Sequence, residues 1–165
     1  MRQATAQQCA VLLGGPSLRG APGREIPTPL LPCGDRPFLA WLLRELLRFG
    51  VREFLLLSSY PSETLAQAAE EIARWLPIAA RIRVLAEPVG IGTGGSIFHA
   101  RDALDERFLI CHGDLPFDTN LARLFRARSD DVEAVLGHVL CCPTLHAQRF
   151  DADVEGERLT GRSVS

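Results

Sequence analysis

The run Leu12-Leu13-Gly14-Gly15-Pro16-Ser17-Leu18-Arg19-Gly20 follows a short apolar stretch. Glycines directly after a strand let backbone N–H groups approach a phosphate or a base, and Arg19 could neutralise phosphate charge. A second segment is His112-Gly113-Asp114. A carboxylate at a strand end can hold Mg²⁺, a hard cation that prefers oxygen and keeps positions for substrate phosphates. The third segment runs Glu87-Pro88-Val89-Gly90-Ile91-Gly92-Thr93-Gly94-Gly95-Ser96. Its four glycines between positions 90 and 95 are difficult to explain by packing alone. They permit close contact with a flat base or ribose, Thr93 can cap the helix that follows, and Glu87 is placed to order the first glycine loop.

Each segment also has a plainer explanation. Tight glycine turns after strands are common, which accounts for the first run as readily. A lone Asp is more often a turn or cap residue than a ligand, and Asp118 suits a cap for the short helix after it. A flexible connector fits the third segment less well, because a helix begins at once.

The elements that must position these loops follow from periodicity. Strands are expected at Cys9–Leu13, Glu53–Ser58, Arg81–Ala86, Arg107–Cys111 and Val132–Leu140. A long Gly/Pro-rich loop covers Gly14 to Arg36. Pro37 opens a helix through Phe49, with Leu39, Leu42, Leu43, Leu46 and Leu47 at helical spacing and Gly50 as its stop. Further helices are expected from Ser62, a plausible N-cap, to Trp75, from near Thr93, and from Asn120 to Ala127. Alternating strands and helices imply a doubly wound, mostly parallel α/β sheet with helices on both faces. In such sheets ligands bind beyond the carboxyl ends of the strands, where the strand order reverses. Phe150 to Thr160 reads as a hairpin turning at Glu155-Gly156. A strand pair so close to the end of the sequence suggests a fragment or trimmed variant of a longer chain.

Composition narrows the class. The chain has 165 residues, 47% apolar and 23% charged, with a formal net charge of −2. That suits one soluble globular domain and argues against general nucleic-acid binding or a membrane surface. All 18 basic residues are Arg, so chemistry that normally uses Lys must use Arg or go without. The five cysteines show no CxxC spacing, and Cys9 and Cys111 read as small buried thiols. The apolar run Cys9 to Leu13 is too short for a signal sequence or a membrane span, so a cytoplasmic protein is expected.

Taken together, the three segments resemble the sugar-1-phosphate nucleotidyltransferases that make NDP-sugars. That family carries a Leu-Ala-Gly-Gly-x-Gly-Thr-Arg-Leu loop, similar to Leu12 to Gly20. Its Pro-Lys-Pro-Leu-Leu-Pro segment resembles Pro27 to Pro32, and Gly34-Asp35-Arg36-Pro37-Phe38-Leu39 matches its step into a helix. Its Glu-Pro-x-x-Leu-Gly-Thr-Gly-Gly-Ala segment is similar to Glu87 to Ser96, and its Gly-Asp metal aspartate to Gly113-Asp114. The run His112 to Asp118 looks closest to the heptose- or mannose-1-phosphate guanylyltransferase branch. The resemblance implies a Rossmann-like, GT-A-type fold, with residues 1–143 as nucleotide-binding core and 144–165 as a hairpin beginning the sugar-binding part. It also implies an NTP, GTP in this branch, and a sugar 1-phosphate as substrates. Leu13, Gly14, Gly15, Glu87, Gly92, Thr93 and Gly94 would then line the nucleoside. Arg19 would hold the leaving phosphates and Asp114 would hold Mg²⁺.

Three departures bear on activity. Thr28 stands where the family has a phosphate-contacting Lys, and Ser17-Leu18 replaces Gly-Thr. The family's second metal-binding Asp lies beyond Ser165. Arg24 shares the loop with the missing Lys, although a solvated loop arginine explains it better. Three functions therefore stay open: an NDP-sugar-forming enzyme, a catalytically impaired paralogue that binds nucleotide as a regulator or partner subunit, and a domain whose loops bind nothing. The oligomeric state is open too, a homo-oligomer included.

Overall fold

The computed structural model describes residues 7–13, 18–19, 25–60, 62–129, 152–155 and 158–161. The buried strand β1 (Gln8–Leu12) comes first. The expected loop from Gly14 to Arg36 is partly ordered by two short antiparallel ladders, β2 (Leu18–Arg19) with β3 (Glu25–Ile26) and β4 (Pro32–Cys33) with β5 (Arg36–Pro37). A 3₁₀ turn, Thr28–Leu30, lies between them. Then follow α1 (Phe38–Arg48), β6 (Glu53–Ser58), α2 (Ser62–Trp75), β7 (Arg81–Ala86), α3 (Gly92–His99), β8 (Leu109–His112) and α4 (Leu121–Ser129). A second 3₁₀ turn, Arg101–Ala103, links α3 towards β8. Finally, β9 (Ala152–Glu155) pairs antiparallel with β10 (Arg158–Gly161), where the sequence pattern expects a hairpin.

The four long strands form a parallel sheet in the order β7-β6-β1-β8. From β1 the chain steps outward to β6 and β7, then returns across β1 to β8. Crossovers in parallel sheets are right-handed, so reversing the direction of travel moves the connecting helix to the opposite face. Burial follows this rule. Leu39, Leu43 and Leu46 of α1 and Leu65, Ala69 and Ile72 of α2 share one apolar cluster with Cys9, Val11, Phe54 and Leu56. Leu121 of α4 joins the same cluster. Ala10, Leu12, Leu55 and Leu57 point the other way and pack with Ile97 of α3 and with Ala100, Ala103 and Leu104 beyond it. The doubly wound sheet with helices on both faces is therefore what the chain adopts.

Boundaries moved where a distant partner or a cap decides them. Pro37 is the N-cap of α1 rather than its first helical residue, and Gly50 ends that helix at φ +97°. β8 starts two residues later than periodicity suggests. Upstream of it, the buried Gln8 side chain donates to the Ala103 carbonyl (3.1 Å) and accepts from the Asp105 N–H (2.8 Å), tying that connection to the head of β1. Asn120, not Asp118, caps α4, its Oδ1 accepting the Ala122 N–H at 3.0 Å. The expected strand Val132–Leu140 lies outside the described residues.

Cys9 and Cys111 lie across the β1–β8 seam with their sulfurs 3.6 Å apart. Cys9 is opposite Leu109 and Cys111 opposite Val11, a two-residue offset. That offset and one strand spacing separate the Cα atoms by roughly 8 Å, beyond the ~7 Å that a disulfide spans without backbone movement. The hydrogen bond with Cys111, and then burial, hold the Cys9 thiol well above its ordinary pKa. Its contribution to stability is therefore complete below about pH 8.5, where an unfolded thiol begins to ionise, and is lost as pH rises through the folded value. Melting temperature should fall more steeply between pH 8 and 10 in the native chain than in Cys9→Ala. Leu43→Ala, in the buried face of α1, should cost about 2–5 kcal/mol in denaturant unfolding.

Candidate functional site

The reversal in strand order falls between β1 and β8, so the crevice expected of this topology opens at their carboxyl ends. Register makes the geometry explicit. Leu12 is level with His112 on one side and with Leu57 on the other, and Leu57 is level with Leu85. One residue further on lie Gly113, Leu13, Ser58 and Ala86, stitched by Gly113 N–H to Leu12 O (2.8 Å) and Leu13 N–H to Leu57 O (2.9 Å). The next residues on the two flanks are Asp114, after β8, and Glu87, after β7. Three strand spacings put them roughly 14 Å apart, far too wide for two carboxylates to share one ion with metal–oxygen bonds of about 2.1 Å. They stand at opposite flanks of one edge.

Asp114 is half-buried and makes no hydrogen bond or ion pair among the described residues. Gly113 is what allows it to sit there. A Cβ on Gly113 would overlap Leu13 Cδ2 and would lie 3.2 Å from Val11 Cγ1 and 3.4 Å from the Leu12 carbonyl. Leu13 is only 2% exposed, so its side chain has little room to yield. Among the described residues no three His, Cys, Asp or Glu side chains gather into a metal cluster. A lone free carboxylate nevertheless fits Mg²⁺ when phosphate oxygens and water complete the coordination.

Glu87 Oε2 is buried and has no hydrogen-bond partner among the described residues. A buried, unpaired acceptor costs on the order of 1–3 kcal/mol, which a donating ligand would recover. The loop from Gly90 to Gly95 beside it uses its glycines for different reasons. Gly90 and Gly92 have φ of +80° and +69°, where a side chain is strained. Gly95 packs, since a Cβ there would come within 2.9 Å of Ile91 Cβ. Gly94 answers to neither demand: its φ is ordinary, and nothing lies within 4 Å of its Cβ position. Thr93 does not cap α3. The helix begins at Gly92 with Ile91 as an N-cap that contributes no side-chain bond, and Thr93 is exposed within the first turn. The bend of the chain at Gly92 takes the capping position away from Thr93, and Ser96 Oγ instead donates back to the Gly92 carbonyl at 3.0 Å.

Of the site residues expected from the sequence, Leu13, Glu87, Gly92, Thr93, Gly94 and Asp114 are placed by the structure along this edge or in the loop leading from it. Gly14 and Gly15 lie outside the described residues, so the ordering of that loop by Glu87 does too. Arg19 is described through its backbone, which pairs with Glu25 in the β2–β3 ladder. Ser58 escaped sequence reasoning. It is 1% exposed, its Oγ accepts from the Tyr60 N–H at 3.1 Å, and its carbonyl accepts from the Glu87 N–H at 3.0 Å. The only local cue was a serine closing an apolar run.

Residues 9–151 match the family described as the MobA-like NTP transferase domain, and the chain belongs to that family. The D-glycero-alpha-D-manno-heptose 1-phosphate guanylyltransferase of Campylobacter jejuni is 30% identical over 118 residues, 71% of this chain and 52% of that relative. The mannose-1-phosphate guanylyltransferase regulatory subunit alpha of Homo sapiens is 29% identical over 130 residues, 73% of this chain and 30% of the relative. HddC from Yersinia pseudotuberculosis, crystallised with GMP-PN, superimposes with a TM-score of 0.57 at 24% identity, over 76% of this chain and 55% of that one. The likeness to HddC shows a shared nucleotidyltransferase fold. The chain spans about half the length of the bacterial relative and less of the human one. No helix among the described residues is long and apolar enough to cross a membrane.

Two glycine substitutions should separate packing from ligand space. Gly113→Ala should lower stability by about 1–3 kcal/mol through overpacking. Gly94→Ala should leave the melting temperature unchanged or raise it, since Ala favours a helix over Gly by up to ~1 kcal/mol.

Proposed function

We propose that the chain carries the nucleotide half of a sugar-1-phosphate nucleotidyltransferase, which transfers a nucleotidyl group from an NTP to a sugar 1-phosphate and releases pyrophosphate. The observation that carries the reading is the pair of carboxylates, Asp114 and Glu87, without partners among the described residues, at opposite flanks of the sheet's carboxyl edge in a member of this family. A nucleotide laid along the edge meets one with its phosphates and the other with its base.

In the proposed reaction a phosphate oxygen of the sugar 1-phosphate attacks the α-phosphorus in line. The bond from that phosphorus to the α,β-bridging oxygen breaks, and pyrophosphate leaves. Such transfers depend on positioning and charge neutralisation more than on covalent help. Mg²⁺ held by Asp114 would offset negative charge on the phosphates. Arg19 is assigned to the leaving phosphates, and Leu13, Gly14, Gly15, Gly92, Thr93 and Gly94 to the nucleoside. The hairpin would begin the sugar-side part. GTP is the favoured nucleotide. The Watson–Crick edge of guanine offers two adjacent donors, N1–H and N2–H, which suit a carboxylate acceptor such as Glu87, whereas the other bases offer one. The names of the relatives favour a heptose or mannose 1-phosphate. We place the protein in the cytoplasm.

One observation favours a second reading, a nucleotide-binding regulator without turnover: Thr28 brings no positive charge to the position where the family has Lys. The two readings separate in a pyrophosphate-release assay with Mg²⁺, each NTP and mannose or heptose 1-phosphate. Release with GTP, reduced on the order of 10²-fold in Asp114→Ala, is the expected result. A folded chain that binds GTP without Mg²⁺ and releases nothing would support the regulator instead. Glu87→Gln should weaken GTP binding by about 10- to 100-fold, the value of a hydrogen bond to a charged group, as read by calorimetry.

A further inference from the structure

Among the described residues the Glu87 side chain has no partner to aim it, so within them its direction depends on the backbone that carries it. That backbone is held from both sides. The Glu87 N–H donates to the Ser58 carbonyl at 3.0 Å, and the Ala86 carbonyl lies 3.1 Å from His99 Nε2. These two groups belong to one planar trans peptide, in which C=O and N–H point in opposite directions. The N–H turns inward to β6. The carbonyl therefore turns away from β6, and β7 is the edge strand of the described sheet, with no strand on that side to pair with it. His99 supplies the missing donor. Its ring can do so either neutral with the proton on Nε2 or doubly protonated.

The anchor that carries His99 is itself firm. His99 ends α3, and the next residue, Ala100, is 1% exposed and packs with Ala10, Leu12, Leu55 and Leu57. The Ala100 N–H closes the helix on the Ser96 carbonyl at 3.0 Å. The ring itself is exposed, so changing it leaves the core untouched. Fixing both ends of the Ala86–Glu87 peptide fixes the plane from which the Glu87 Cα–Cβ bond departs.

We propose that His99 is a positioning residue for nucleobase selection: by donating to the Ala86 carbonyl it aims the Glu87 carboxylate at the base edge. This rests on the reading of Glu87 as the acceptor for guanine, and the test keeps the two apart. Dissociation constants for GTP and for inosine triphosphate, which lacks the 2-amino donor, are measured by calorimetry on the full chain. The variants are Glu87→Gln, His99→Leu and His99→Gln, each with its melting temperature.

The native chain should prefer GTP by about tenfold, the lower end expected for one hydrogen bond to a carboxylate. His99→Leu should cut that preference by at least about threefold, with GTP affinity falling more than that for inosine triphosphate. His99→Gln, whose amide keeps an N–H near the position of Nε2, should restore it. A purely structural role would lower both affinities together and leave their ratio unchanged. If Glu87→Gln collapses the ratio and His99→Leu does not, the role of His99 is overturned while that of Glu87 stands. A ratio that Glu87→Gln does not move, or a native chain that binds neither nucleotide, overturns both.

Discussion

The double pairing of β1, with β6 on one side and β8 on the other, is the constraint on which the rest of the described structure depends. It makes the chain turn back across its own first strand. Because right-handed crossovers tie helix placement to direction of travel, that turn sends α3 to the face opposite α1 and α2. The same turn puts the reversal in strand order between β1 and β8, the place where such sheets hold their ligands. Cys9, Val11 and Leu13 face one helical layer while Ala10 and Leu12 face the other, which is why β1 reads as an unbroken apolar run rather than an alternating one.

The candidate site inherits its precision from this frame. Asp114 follows Gly113, and Gly113 is pressed against Leu13 and Val11 at the end of β1, so the carboxylate's position is set by packing. Glu87 is set instead by hydrogen bonds, through the peptide between Ser58 and His99. The two carboxylates thus hang on different physical supports at the two flanks of one edge. On the proposed function, disturbing the packing at Gly113 and disturbing the hydrogen bond at His99 act on opposite ends of the nucleotide.

Much of this was legible in the amino-acid sequence. Leucines at helical spacing marked α1 to within a residue at each end, and Glu53–Ser58 and Arg81–Ala86 were read with their observed bounds. The ordered motifs pointed to the family. What was not legible depended on partners far away in the chain. Gln8 precedes the apolar run of β1 and is polar, yet it is buried and bonded to Ala103 and Asp105, about which local periodicity carries no information. Thr93 has a capping side chain, but the hydrogen-bonded helix already includes Gly92, a left-handed glycine at φ +69° whose conformation only the structure reveals. His99 and Ser58 could not be found from sequence because their contribution is a hydrogen bond to one peptide group of a different element.

The proposed function lays a nucleotide along the carboxyl edge, with its base at the β7 flank and its phosphates towards the β8 flank. A crystal structure of the full chain with Mg²⁺ and a non-hydrolysable GTP analogue tests it most directly. The expected result is the guanine edge within about 3 Å of the Glu87 carboxylate, an ordinary hydrogen-bond distance, and the phosphate-bound Mg²⁺ on Asp114. A nucleotide seated elsewhere on the surface, or reversed with its base at Asp114, would contradict it.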